Sequence, residues 1–155
     1  MDAKLLYTTS YFVSTNYEAL MMVANHAFEA NKVFCFNLAA TYWISKYSKE
    51  IATILPFADI IIGNAEEAVA LATERGYGTE DKMEILKKIA MEDKKNKVRP
   101  RIVVITQGHM DTFAGTYDFN TKKFESIVVS PDRIDRKDIV DTNGAGDCIL
   151  FVLNI

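Results

Sequence analysis

Short apolar runs at residues 5–12, 33–38, 59–62 and 101–106 alternate with longer stretches whose apolar residues recur at helical spacing. A strand buried on both faces reads as a near-continuous apolar run, and joining two parallel neighbours takes a crossover of a dozen residues or more, usually a helix. The runs therefore predict a mostly parallel sheet, and the segments between them predict its crossovers. Residues 16–30 carry Leu20, Val23, Ala24, Ala27 and Phe28 on one stripe behind a capping Asn16. Residues 45–55 continue a stripe of Ile44, Tyr47, Ile51 and Ile54, which Pro56 ends. Residues 64–74 predict a third helix, closed by Gly76, and residues 81–91 a fourth. Beyond the last run, residues 111–117 and 123–129 predict a hairpin turning through Phe119, Asn120 and Thr121. Strand–helix alternation followed by a hairpin gives an α/β domain with a mostly parallel central sheet and an antiparallel margin.

The 155 residues suit one domain, and a net charge of −3 with acids and bases interspersed argues against a nucleic-acid-binding surface. The basic run from Lys94 to Arg101 lacks interleaved aromatics and reads as a solvated connector. Cys35 and Cys148 stand in apolar surroundings without CxxC or Cys/His spacing, as expected of reduced thiols in a cytoplasmic protein. No apolar run approaches the roughly 20 residues that a membrane span needs, and the N-terminus has no signal-peptide pattern. His26 and His109 show no metal or triad spacing and read as ordinary surface or helix-face residues.

Four segments carry candidate chemistry. In Asp141-Thr142-Asn143-Gly144-Ala145-Gly146-Asp147 the small residues let the backbone approach a ligand and aim successive N–H groups at an anion. A carboxylate beside such an anion site makes sense if Asp147 takes the proton of an attacking hydroxyl while backbone donors hold the growing charge. A plain glycine turn leading into a helix is the other reading. Asn64 and Glu67, three residues apart, are either oxygen donors for a hard cation or a helix capping box, and the two roles are compatible. Thr106-Gln107-Gly108 ends a strand and is either a phosphate-lining segment or a simple turn. Tyr42 offers a flat face for a base, or belongs to the core.

DTNGAGD, preceded in order by FCFNLAA, PFADIIIGNAEEA and RIVVITQG, resembles the ribokinase-like (PfkB) carbohydrate and nucleoside kinases, and within them the branch that phosphorylates adenosine. The resemblance implies a three-layer α/β sandwich and an ATP-dependent phosphotransferase of purine salvage, converting adenosine and ATP into AMP and ADP. It implies that Asp147 is the catalytic base and that Gly144, Ala145 and Gly146 form the anion hole. ATP would be met by Asn64, Thr106, Gln107, Gly108, Asp141 and Thr142. Asn64 and Glu67 would hold Mg²⁺ through water, and Tyr42 would stack on the purine.

Residues 1–155 correspond to part of the family's domain, from its middle to the start of its catalytic helix, without lid or C-terminal part. Thr41 stands where relatives usually have proline, and His109-Met110 where they often have a basic residue. Phe151 and Val152 replace a glycine pair, so a truncated or mispredicted gene product, whose tail departs from the true reading frame or splice form, is expected. Uncovered apolar surface would then favour self-association. Two alternatives stand beside this reading. One is a kinase for another sugar or nucleoside. The other is a catalytically inactive fragment that binds nucleotide weakly or associates with an intact kinase. A dinucleotide-binding domain fares worse, because its glycines should follow the first strand.

Overall fold

The four apolar runs become parallel neighbours in one six-stranded sheet, with strands in the order of the sequence. The computed structural model describes residues 3–132, 134, 137, 139–141 and 144. Strands β1 (Leu5–Thr9), β2 (Val33–Asn37), β3 (Ile60–Asn64) and β4 (Arg101–Gln107) run parallel. Strands β5 (Met110–Asp118) and β6 (Lys123–Val129) form the antiparallel margin. Helices α1 (Tyr11–Glu29), α2 (Thr41–Lys46), α3 (Ser48–Ile54), α4 (Ala65–Glu74) and α5 (Lys82–Met91) make the crossovers.

Right-handed crossovers between strands laid down in one direction put every helix on the same face. The core shows this directly. Phe34, Phe36, Ile61, Val103 and Ile105 pack in one cluster with Leu20, Ile51, Leu71 and Ile89 of the helices. Each buried Phe or Ile contributes about 1.5–3 kcal/mol. Their strand neighbours Cys35, Ile60, Ile62 and Val104 alternate to the opposite face and form a smaller cluster. Among the described residues, one helical layer and the sheet are therefore present.

Four sequence expectations need correction. The first strand ends at Thr9 rather than continuing to residue 12, because the Ser10 N–H still donates to the Asn37 carbonyl while its own carbonyl opens α1 by accepting from Val13. Asn16 does cap a helix, its Oδ1 accepting from the Ala19 N–H at 2.9 Å, but a short turn precedes it, so α1 is interrupted at an extended Asn16 (φ −159°). The helix expected at 45–55 is split at Tyr47 into α2 and α3, and Pro56 lies inside a 3₁₀ turn, Leu55–Phe57, where its fixed φ is tolerated.

The basic run is the fourth correction. Lys94 and Arg101 are not solvated; both are fully buried. Lys94 Nζ pairs with Asp59 Oδ1 at 2.7 Å and donates to the Arg99 carbonyl at 2.9 Å. The Arg101 guanidinium donates to five carbonyls, those of Leu55, Ala58, Ile89, Glu92 and Asp93, at 2.8–3.2 Å. These carbonyls lie at the ends of α3 and α5 and in the loops beside them, where helix carbonyls need donors, although those of Leu55 and Ile89 also accept the backbone N–H groups of Ala58 and Glu92. Burial nonetheless lowers Arg101 to about 10 and pulls Lys94 below its ordinary value.

Candidate active site

At the carboxyl ends of β1 to β4 lies an open cleft of about 320 Å³. In open parallel sheets ligands sit outside the carboxyl ends of the strands. Its lining includes Thr9, Asn37, Asn64, Glu67 and Thr106, and the aromatic rings of Tyr7 and Tyr11.

Asn64 ends β3 and caps α4 in an extended conformation. The capping box read from the sequence is present. The Glu67 N–H donates to Asn64 Oδ1 at 2.9 Å, and the Asn64 N–H donates to Glu67 Oε2 at 2.9 Å. A third bond joins Asn64 Nδ2 to Glu67 Oε1 at 2.8 Å. The Glu67 side chain is thereby folded inward, and the residue is only 6% exposed. Burial holds its carboxyl above the ordinary carboxylate range, against the lowering effect of the Asn64 backbone bond. Gly63 makes room for this arrangement: a Cβ there would meet Leu38 Cδ1 at 2.8 Å and Glu67 Oε2 at 3.1 Å.

Thr106 lies directly across from Asn64 in the β3–β4 register and lines the cleft beside it. Gln107 pairs with Met110, and its Nε2 donates to the Asp111 carbonyl at 2.9 Å. Gly108 turns the β4–β5 hairpin with φ +60°, the value required at the first central position of a two-residue II′ loop. The turn reading of this segment is thus realised, with Thr106 facing the cleft and Gly108 on the exposed bend.

Sequence reading passed over much of the cleft. Tyr7, Thr9, Tyr11 and Asn37 all belong to it; Thr9, Tyr11 and Asn37 share a place at or just past the end of a parallel strand, and Tyr7 lies in the middle of β1. Tyr42 is 61% exposed on the first turn of α2 and is not among the cleft-lining residues. It is linked to the cleft through other rings. Tyr11 meets Trp43 edge-on at 6.0 Å, and Trp43 meets Tyr42 at 4.9 Å. Lys46 Nζ lies 5.3–5.5 Å from the rings of Tyr42, Trp43 and Tyr47.

A sequence profile of the pfkB family carbohydrate kinases matches residues 1–150. The chain belongs to this family. Adenosine kinase of Schizosaccharomyces pombe is 32% identical over 146 residues, covering 94% of this chain and 41% of that protein. Adenosine kinase 2 of Arabidopsis thaliana is 34% identical over 149 residues, covering 96% and 41%. The crystal structure of Anopheles gambiae adenosine kinase in complex with P1,P4-di(adenosine-5) tetraphosphate superposes with a TM-score of 0.89 at 33% identity, over 99% of this chain and 45% of that one. The chain thus spans about two-fifths of the length of the curated relatives it matches.

As a pfkB-family chain it carries the glycine-rich segment, of which Asp141 and Gly144 are described. Both are exposed, and Gly144 has φ +76°. Thr142, Ala145, Gly146 and Asp147 lie outside the described residues, as does Cys148. The structure brings together Asn64, Glu67 and Thr106 and leaves Tyr42 at one side. Among the described residues no group of three or more His, Cys, Asp or Glu could hold a metal directly, and no helix is long and apolar enough to cross a membrane.

Proposed function

We propose that this chain is the part of an adenosine-phosphorylating enzyme that binds ATP and carries the catalytic base, moving the γ-phosphoryl of ATP to the 5′-hydroxyl of adenosine. The observation that carries the reading is the Asn64–Glu67 pair, held at the head of α4 and facing a cleft at the carboxyl ends of the parallel strands. The same chain bears DTNGAGD at 141–147. Residues 1–155 are read as a partial ribokinase-like kinase domain, and the cytoplasm as its compartment.

Asp147 accepts the proton of the 5′-hydroxyl, and the backbone N–H groups of Gly144, Ala145 and Gly146 stabilise the charge on the transferred group. Asn64, Thr106, Gln107, Gly108, Asp141 and Thr142 line the nucleotide, and Tyr42 holds the purine. Mg²⁺ fits the donor set through water. Asn64 and Glu67 offer only oxygen acceptors to the cation, and both Glu67 oxygens are already engaged with Asn64 yet retain lone pairs for metal-bound water. When bound, the ion neutralises charge on the phosphates. The chain's own contribution is positioning: the capping box fixes both oxygen-bearing side chains before any ligand arrives.

Transfer of labelled phosphate from Mg-ATP to adenosine by the purified chain, with Asp147→Asn beside it, tests the reading. Turnover reduced about 10²–10⁴-fold by the substitution is expected of a lost general base. No turnover in a folded parent chain favours the second reading, an inactive fragment that binds nucleotide weakly or joins an intact kinase. Turnover of another nucleoside or a sugar in place of adenosine would move the acceptor and leave the phosphotransferase reading intact.

A further inference from the structure

Asn37, the last residue of β2, joins three parts of the cleft wall. Its Oδ1 accepts from the Ala39 N–H at 3.0 Å, and its Nδ2 donates to Tyr7 Oη at 3.0 Å. Its carbonyl accepts from the Ser10 N–H at 2.9 Å, where β1 gives way to α1. Ala39 has φ +58°, a left-handed conformation that glycine enters freely and a residue with a Cβ does not.

The surroundings pin this loop from several sides. The Leu38 N–H donates to the Ile62 carbonyl at 2.8 Å and the Ala40 N–H to the Leu38 carbonyl at 2.7 Å. The buried Ser10 hydroxyl donates to that same Leu38 carbonyl. Backbone strain persists where neighbours over-determine it, and it gathers at ligand sites. Ala39 lines the cleft, and the chain passes from it through Ala40 into α2, whose first residues are Thr41, Tyr42 and Trp43. The direction of α2 therefore depends on the dihedral angles of Ala39, and those depend on the Asn37 side chain.

We propose that Asn37 is a positioning residue for the nucleoside side of the cleft. By holding Ala39 left-handed and bracing Tyr7, it fixes the entry angle of α2 and the aromatic edge of Tyr11, Trp43 and Tyr42 against which a flat base packs. The ligand in this statement rests on the nucleoside reading above; the coupling between Asn37 and α2 does not. The Asn37 side chain bonds to Tyr7 and Ala39, whereas Asn64 and Glu67 bond to each other, so its loss is expected to weaken nucleoside binding more than nucleotide binding.

Trp43 is the only tryptophan, so its emission and its quenching by acrylamide report on α2 without any ligand. Asn37→Ala is expected to raise Trp43 quenching and to weaken adenosine binding about tenfold, equivalent to about 1.4 kcal/mol, while Mg-ATP affinity stays within about twofold. Adding Ala39→Gly, which adopts the positive φ without help, is expected to return quenching and adenosine affinity toward the parent. Asn37→Asp keeps the acceptor for the Ala39 N–H and should quench like the parent even if Asn37→Ala does not fold. Parental quenching in Asn37→Ala, equal loss of both ligands, or an Asn37→Asp chain that quenches above the parent would each overturn the proposal. A folded parent that binds no adenosine would instead refute the nucleoside reading, and the quenching series would still decide the coupling.

Discussion

Arg101 lies fully buried against the ends of α3 and α5, and among the described residues no carboxylate is paired with it; it donates to five backbone carbonyls. Removing such a donor leaves acceptors that cannot reach water, a penalty of about 1–3 kcal/mol for each group left unsatisfied. Arg101→Leu is therefore expected to destabilise the fold by more than about 3 kcal/mol, read as a shift of the urea midpoint; a loss below about 1 kcal/mol would show that the carbonyls find other donors. Cys35 gives a pH-dependent counterpart. Burial raises its thiol from the ordinary 9.0 to about 12. Between those values the unfolded chain gives up the proton and the folded chain keeps it, so stability falls as pH rises from 9 to 12. The slope is at most about 1.4 kcal/mol per pH unit. Cys35→Ala should flatten the decline in stability between pH 9 and 10.5 relative to the parent, and an unchanged slope would assign the decline to other groups.

At the scale of elements, α4 and α5 offer a controlled comparison. Asn64 caps α4 at the cleft, whereas Asp81 caps α5 away from it, its Oδ1 accepting from the Glu84 N–H at 2.8 Å. Each cap is worth about 1 kcal/mol, so Asn64→Ala and Asp81→Ala should lower stability by similar amounts. Only Asn64→Ala should also weaken Mg-ATP binding, measured by calorimetry on both variants; equal affinities would reduce the Asn64–Glu67 pair to a cap. The Asn64 cap was legible in the sequence, because a capping residue acts within three residues of itself. The strands were legible too, since continuous apolar runs such as residues 59–62 leave little choice. What escaped was set by distant partners. Nothing near Lys94 or Arg101 in sequence announces Asp59 or the carbonyls of Leu55 and Ala58, so a basic run looked like a solvated surface. Tyr7, Tyr11 and Asn37 are brought to one cleft only by the parallel register of β1 to β3. The break of α2 from α3 at Tyr47 was hidden for a different reason: its apolar stripe keeps helical spacing across the break.

For the molecule as a whole, the one-directional strand order has a cost on the face opposite the helices. Ile102, Ile127 and Val129 point to that face, in register with Thr116, Ala114 and Thr112, and are 38%, 62% and 50% exposed. Ile102, Ala114, Thr116 and Ile127 line a shallow groove of about 280 Å³ there. Beside it, among the described residues, β6 has a sheet neighbour on one side only, β5. Exposed apolar area next to a strand edge drives association, because each contact removes apolar surface from water while the edge supplies hydrogen-bonding groups. Charge works against this only at one end of β6, where Lys123 and Glu125 pair with each other; the Ile127-Val128-Val129 end carries none. The purified chain is therefore expected to associate as its concentration rises, and Ile127→Lys, placing a charge on the exposed face at the start of that end, to shift it toward monomer. Sedimentation velocity across a hundredfold concentration range distinguishes the outcomes. A parent that stays monomeric throughout would mean that this face is covered, and an Ile127→Lys chain that associates like the parent would place the contact elsewhere.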